Sequence, residues 1–285
     1  MANIRQIKRR IRSVQSTAKI TNAMSMVAAS KMRRAQQRGI QGRPYAQQIR
    51  AVMSNLMAVR QADAAHPLLA PRGEVKRIAY IHVTADRGLC GPLNANMNRT
   101  GLSFIRQQTV PVSVITVGRR GRDFMARAGQ ELRAVYMELG DYPTLIDTLA
   151  ISRQVMDDYV AGAVDEVYIG YSDFVNTINQ KPMIQKLIPV EPAELPSSAQ
   201  TDYLYEPSPD VVLERLLPRY VEMQVYHGIL EHIASEQSAR MVAMRNASEA
   251  AKDMIRDLTL TYNKARQESI TTEMLDIVGG SAALE

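Results

Sequence analysis

The sequence predicts a mixed α/β protein, in which N- and C-terminal helices form a long antiparallel coiled coil and a small α/β domain lies between them in the chain. Residues 219–278 contain no proline and only one glycine, Gly228, so nothing interrupts a single helix of roughly 90 Å. The N-terminal segment carries a heptad pattern, and residues 75–196 alternate β-rich and helical stretches. Together these patterns predict the fold class.

The N-terminal helix follows from small and apolar residues at alternating spacings of three and four, the seam of a coiled coil. We expect Gly39, Gly42 and Pro44 to bend it, and a further helical stretch to follow over residues 45–57. Residues 66–73, with two prolines, read as a linker. The seam consists of Ile4, Ile7, Ile11, Val14, Ala18, Thr21, Ser25, Ala28, Met32 and Ala35.

The middle of the chain reads as an α/β domain. Strands are predicted over residues 75–83, 110–117, 164–171 and 183–190, and helices over residues 93–107, 119–128 and 144–160. This alternation predicts a partly parallel sheet. Residues 191–209 contain four prolines and lead into the last helix.

The C-terminal helix repeats the seam. Because each seam needs a partner, the two terminal helices are expected to pair antiparallel, with the α/β domain as their connection. The domain division predicted is residues 1–65, 66–208 and 209–285. The seam residues are Leu213, Leu216, Tyr220, Met223, His227, Leu230, Ala234, Gln237, Met241, Met244, Ser248, Ala251, Ile255, Leu258, Tyr262 and Ala265.

A length argument predicts an overhang at the C-terminus. If the N-terminal helix ends near Met57 opposite Asp210, then Met1 lies beside Arg266. Everything beyond Arg266 then lacks a partner in its own chain, yet it carries an apolar stripe. We expect another molecule to cover that stripe, which consists of Ile270, Met274, Leu275, Ile277 and Val278.

Charge is distributed unevenly along the chain. The first 62 residues hold thirteen Lys or Arg and no Asp or Glu, whereas the whole chain has a net charge of +6. Such a block suits nucleic acid, mitochondrial targeting or an acidic protein partner. Basic residues near the first helix's N-terminus and acidic residues near the last helix's C-terminus would offset each other in an antiparallel pair.

Several classes of function are disfavoured by composition. Cys90 is the only cysteine, so an internal disulfide or a CxxC metal site cannot form. No apolar run is long enough to span a bilayer, and no signal segment is visible at the start. We therefore expect a cytoplasmic chain that reaches a membrane only through a partner.

The loop of sequence D-R-G-L-C-G, from Asp86 to Gly91, follows a predicted strand and precedes a predicted helix, which is the setting of a phosphate cradle. It is neither GxGxxG nor a Walker loop, and no acidic ribose ligand follows at a suitable distance. A structural turn is the favoured interpretation. A dinucleotide enzyme built on this domain and a nucleic-acid-binding coiled coil using the basic N-terminal helix remain as alternatives.

Three stretches resemble the γ-subunit family of rotary F-type ATP synthases, in its bacterial form, and the resemblance extends over essentially the whole chain. They are ITNAMSMVAASKMRRAQ at residues 20–36, TADRGLCGPLN at residues 84–94, and SEQSARMVAMRNASEAAKDMI at residues 235–255 with its continuation LTLTYNKARQESITTEMLDIVGG to Gly280.

The resemblance implies a central rotor shaft and a small Rossmann-like α/β foot domain. It implies that the shaft stands in a head of α and β subunits, and that the foot contacts the ε subunit and a membrane c-ring turned by ions. Rotation would then couple ion flow to ATP synthesis or hydrolysis, with no catalytic residue and no cofactor in this chain. The location implied is peripheral, at the cytoplasmic face of a bacterial plasma membrane.

The resemblance also implies roles for individual residues. Each has an ordinary alternative as helix surface or linker packing. The chain departs from the family at Asn22, where a lysine is common, and at Pro92, where a glycine is frequent. The implied coupling residues are Met24, Arg240, Gln267, Thr271 and Glu273, the implied tip bearing is Ile270, Met274, Ile277 and Val278, and the implied foot contacts are Tyr203, Tyr205 and Glu206.

Overall fold

The computed structural model describes residues 4–59, 66–70, 72–190 and 205–282. The chain divides into two compact units. One contains residues 29–240 and the other contains residues 1–28 together with 241–285. Helix α1, Ile4–Val59, and the last helix, Pro209–Ala282, contribute to both units. Each unit is described by itself.

The unit of residues 29–240 contains a five-stranded sheet. In chain order its elements are β1 Ile78–Val83, α2 Leu93–Gln107, β2 Val112–Val117, α3 Arg119–Arg127, β3 Leu132–Tyr136, α4 Leu145–Val160, β4 Glu166–Phe174 and β5 Gln180–Ile188. The last helix is α5. The strand order is β3-β2-β1-β4-β5, with β4 and β5 antiparallel and the other pairs parallel. The predicted partly parallel sheet is confirmed.

The core of this unit is shared by the sheet and both long helices. Side chains of α1 such as Ile49 and Met53 pack in one buried cluster with Ile81 and Ile169 of the sheet and with Val225 of α5. Strands β1 and β2 are buried on both faces, so most of their residues are apolar and they show no alternation of apolar and polar residues. The sheet therefore lies between α1, α4 and α5 on one side and α2 and α3 on the other.

One element differs from the sequence prediction, and one helix is more continuous than its sequence suggests. Strand β3 was missed, because it is an edge strand with half-exposed residues in which Arg133 interrupts the apolar pattern. The stretch with Gly39, Gly42 and Pro44, where we expected a bend, does not interrupt the helix, since α1 is helical to Val59. Buried residues on both sides of this stretch, Ala35 and Ile49, anchor the helix and outweigh its low local propensity.

The unit of residues 1–28 and 241–285 contains the predicted antiparallel helix pair. The Ser25 hydroxyl donates to the Met241 carbonyl at 3.2 Å, and the Ser248 hydroxyl donates to the Ala18 carbonyl at 3.3 Å. Both pairs have the same register, which places the N-terminus of α1 within about one residue of the predicted position beside α5. The residues 271–278 are all exposed, as the overhang requires.

Neither long helix, nor any other helix in the described part of the chain, is long and apolar enough to cross a membrane.

Candidate functional site: the helix junction and the exposed C-terminal tip

The loops that follow β1, β2 and β3 meet at the carboxyl edge of the sheet, beside residues 229–240 of α5; we call this region the junction. Asp86 ties the three loops together. Its Oδ1 accepts from the Arg119 amide at 2.9 Å and its Oδ2 accepts from the Glu138 amide at 3.0 Å. The carboxylate thus occupies the N-terminus of α3, where a phosphate would otherwise bind. This arrangement gives the D-R-G-L-C-G loop a structural role.

Arg240 connects the same loop to α5. Its guanidinium donates to Glu236 Oε1 at 2.6 Å and to the Gly88 carbonyl at 3.3 Å. Both side chains of the ion pair are mostly buried, with 11% of Arg240 and 14% of Glu236 exposed. Burial raises the pKa of Glu236, while the neighbouring Arg240 opposes that rise. Because the pair is desolvated, removing either partner leaves an uncompensated charge.

Cys90 is buried in this loop. The Asn94 amide donates to Cys90 Sγ at 3.1 Å, and the side chain packs with Leu93 and Ala239. Burial raises the pKa of the Cys90 thiol, which keeps it protonated and unreactive. The loop is therefore held to α5 by apolar packing as well as by Arg240.

A small cavity of about 40 Å³ lies under the junction, between the loops and α5. His232 lines it. Its Nδ1 accepts from the Ser172 amide at 3.3 Å, while its Nε2 is buried with no hydrogen-bond partner in the described part of the chain. Burial lowers the pKa of His232 to about 3. The imidazole is neutral at physiological pH, and the first hydrogen bond fixes the proton on Nε2.

The residues implied in coupling occupy different environments. Met24 is half-buried on α1, whereas Gln267, Thr271 and Glu273 are exposed on α5. The Thr271 hydroxyl donates back to the Gln267 carbonyl at 2.9 Å, an ordinary bond within the helix. Arg240 belongs to the unit of residues 29–240, and the other four belong to the other unit. Their roles stay predictions.

The tip residues are strongly exposed for apolar side chains. The exposed fractions are 49% for Ile270, 62% for Met274, 71% for Ile277 and 63% for Val278. The neighbouring Leu275 is 65% exposed. A contiguous group of large exposed apolar side chains marks an interaction surface.

The implied foot contacts are only partly described. Tyr203 lies outside the described residues. Tyr205 is half-buried and packs against the large core cluster, whereas Glu206 is exposed. Glu206 is therefore accessible to a partner protein, whereas Tyr205 also packs against the core of its own domain.

A basic groove was missed by the sequence analysis. It has a volume of about 640 Å³ and lies between α2 and α3. Because its arginines come from two helices, no single stretch of sequence reveals them. No Asp or Glu lines it in the described part of the chain. Arg99, Arg106, Arg120 and Arg127 surround an apolar surface formed by Leu102 and Phe124.

The fold defines a class of protein in which two long terminal helices pair with each other and an α/β domain lies between them in the chain. Its exposed apolar tip is suited to binding other proteins. A sequence model of the family described as ATP synthase matches residues 3–284. The ATP synthase gamma chain of Dehalococcoides mccartyi strain CBDB1 is 58% identical over all of both chains. That of Herpetosiphon aurantiacus is 48% identical over all of this chain and 99% of its own.

Solved structures agree with this. The central stalk and c-ring structure of the Tetrahymena thermophila mitochondrial ATP synthase contains a chain 26% identical, with a TM-score of 0.60, over 80% of this chain and 99% of that one. A chain of the Euglena gracilis mitochondrial ATP synthase rotor, 19% identical, shares the fold with a TM-score of 0.65 over 94% and 98% of the two chains. The chain belongs to the ATP synthase gamma chain family. The nucleic-acid-binding alternative has no support among these relatives.

Proposed function

We propose that this chain is the central rotor shaft of an F-type ATP synthase, which couples ion flow through a membrane ring to ATP synthesis or hydrolysis in the head. It is a non-catalytic subunit and acts by contact. Rotation of an asymmetric shaft biases each catalytic subunit between conformations, because the shaft contacts those conformations differently. Its location is peripheral, at the cytoplasmic face of a bacterial plasma membrane.

The observation that carries this proposal is the exposed apolar tip of α5. Ile270, Met274 and Ile277 are about half to three-quarters exposed, and they follow the point where the antiparallel partner helix ends. Burying large apolar side chains of this kind is favourable by about 1.5–3 kcal/mol each. A sleeve formed by α and β subunits would cover them and act as the upper bearing.

Charge supports contact with acidic surfaces of the head. The first 62 residues, which include the N-terminal shaft helix, contain no acidic residue. Met24, Arg240, Gln267, Thr271 and Glu273 are the proposed coupling residues. The exposed basic side chains of α1, such as Lys8, Arg9 and Arg10, attract an acidic partner only weakly and are screened by salt, which suits a surface that must release each contact.

The foot contacts are proposed in the segment that precedes α5. Glu206 is exposed and Tyr205 is half-buried at the start of the segment that leads into α5. Together with Tyr203 they would contact the ε subunit and the c-ring.

The test is rotation of the chain in a reconstituted head. A bead is attached to residue 160, an exposed position on α4, and followed while ATP is supplied. We expect sustained rotation in one direction, and loss of torque after truncation at Arg266 or in the variant Ile270→Ser/Ile277→Ser. The matched control is Met254→Ser/Leu260→Ser, since these residues are exposed apolar side chains of the same helix outside the tip. A complex that assembles and hydrolyses ATP without rotation would contradict the proposal.

A further inference from the structure

The loop of residues 138–144, between β3 and α4, contacts both long helices within the unit of residues 29–240. Asp141 uses one carboxylate oxygen for each helix. Its Oδ2 accepts from Lys31 Nζ of α1 at 2.6 Å, and its Oδ1 accepts from Gln237 Nε2 of α5 at 3.2 Å. Gln237 is only 2% exposed. A single side chain thus bridges α1 and α5.

The next two residues of the loop repeat this double contact. The ring of Tyr142 faces the guanidinium groups of Arg34 and Arg38 of α1, whose central carbons lie 5.9 Å and 5.1 Å from the ring centroid. On the other side, the Tyr226 hydroxyl of α5 donates to the Pro143 carbonyl at 3.3 Å. The cation–π contacts and the hydrogen bond attach neighbouring residues of one loop to the two helices.

The loop itself is fixed to the sheet domain at both ends. At its start, the Glu138 amide donates to Asp86 Oδ2 at 3.0 Å, and Leu139 packs against the core. At its end, Thr144 and Asp147 form a capping box at the start of α4. Gly140 turns the chain between these anchors with φ of +78°, a conformation that favours glycine.

Apolar packing alone leaves the helices freer to turn against the sheet, because the hydrophobic effect has no direction. Hydrogen bonds and ion pairs require particular distances and angles, so they fix the rotation and register of each helix. We propose that the loop of residues 138–144 is the joint that holds both shaft helices to the foot domain, with Asp141 and Tyr142 as its positioning residues. This inference rests on the proposed rotor function, in which torque passes through the joint.

The test compares three full-length variants in the assembled head and as free chains. Asp141→Asn/Tyr142→Leu removes the charge and the cation–π contacts. Glu138→Gln is the control in the same loop, because Glu138 pairs with Arg119 at 3.2 Å and is 76% exposed. Lys31→Asp/Asp141→Lys exchanges the two charges, and since an amide can accept as well as donate, Gln237 can bond the new lysine.

With the bead on residue 160, the Asp141→Asn/Tyr142→Leu variant should keep hydrolysing ATP. The angular variance of the bead during each pause should rise. In the free chain, amide hydrogen exchange in α1 residues 29–41 and α5 residues 226–240 should become about tenfold faster, because one weak ion pair and both cation–π contacts of Tyr142 are lost. The Lys31→Asp/Asp141→Lys variant keeps Tyr142 and an ion pair between the loop and α1, so its angular variance and exchange rates should be close to those of the unmodified chain. The control should change neither.

The two proposals fail in different ways. If the unmodified chain does not rotate, the proposed rotor function is wrong. The hydrogen-exchange experiment on the free chain still tests whether the loop of residues 138–144 holds the two helices. If the unmodified chain rotates but the Asp141→Asn/Tyr142→Leu variant matches the Glu138→Gln control in both angular variance and hydrogen exchange, the proposal that this loop is the joint is wrong.

Discussion

Two buried histidines should make the sheet-containing unit lose stability as the pH falls from about 7.5 to 5.5. Burial lowers the pKa of His82 to about 4 and that of His232 to about 3, from an ordinary 6.5. The His82 ring is hydrogen-bonded through Nδ1 to the Tyr80 hydroxyl at 3.2 Å and through Nε2 to Asn98 Oδ1 at 2.8 Å. Neither ring binds a proton in the folded chain within this pH range, whereas both do so in the unfolded chain.

The sign and size follow from proton linkage. A folded-state pKa below the unfolded value gives stability that is present above the unfolded pKa and is lost as the pH falls. Between about pH 7.5 and 5.5, proton binding to each histidine of the unfolded chain lowers the free energy of unfolding by about 1.4 kcal/mol, or by about 2.7 kcal/mol for the two. Glu236 acts in the opposite direction, because burial raises its pKa and the folded chain gains stability as that carboxylate protonates.

The assay is urea unfolding followed by tyrosine fluorescence. The chain has no tryptophan and twelve tyrosines, of which only Tyr262 lies outside residues 29–240, so the emission reports this unit. His232→Asn keeps an acceptor for the Ser172 amide and removes one titrating group. It should reduce the pH dependence by about half. Glu236→Gln, as the second variant, should leave the histidine contribution in place and steepen the loss at the acid end.

If His232→Asn and the unmodified chain lose the same stability over this range, the buried-histidine account is wrong.

Two further predictions concern the junction. Gly118 has φ of +97°, and a Cβ there would overlap the carbonyl of the residue that follows β1, so Gly118→Ala should destabilise the chain by several kcal/mol, roughly 3 or more. Gly129→Ala is the control, since Gly129 has φ of +71° with open space around it, and it should cost only about 1 kcal/mol in chemical unfolding. Arg240→Ala should release the loop that buries Cys90 and speed thiol labelling by about tenfold or more. The exposed Arg245, 75% accessible, gives the matched Arg245→Ala control, and equal labelling rates would show that Arg240 does not hold the loop.

Periodic features were predictable from sequence. The bounds of α2 agree with the expected residues 93–107, and the antiparallel register agrees to about one residue because the seam and the chain length determine it. The partly parallel sheet followed from alternation of strands and helices. These features depend on the spacing of apolar residues along the chain, which can be read from a single sequence.

Features that depend on long-range contacts were not predictable. Asp141 contacts α1 and α5 residues that are about a hundred positions away in both directions, and no motif surrounds it. The four arginines of the groove come from α2 and α3. Asp86 was noted as part of a loop, but its role in closing the N-terminus of α3 appears only when three loops meet. The joint and the groove are therefore products of topology.

The small residues of the helix pair have a consequence for how the chain is handled before it assembles. Thr21, Ala28, Ser248 and Ala251 are buried in the seam, yet they remove little apolar area from water, and each Å² contributes only about 25 cal/mol. The ends of both helices therefore open easily in the newly made chain, and opened helices are the segments that proteases cut. Protection would arrive with the partners that cover the seam and tip, so that a chain left without them is removed and one inside a complete complex persists.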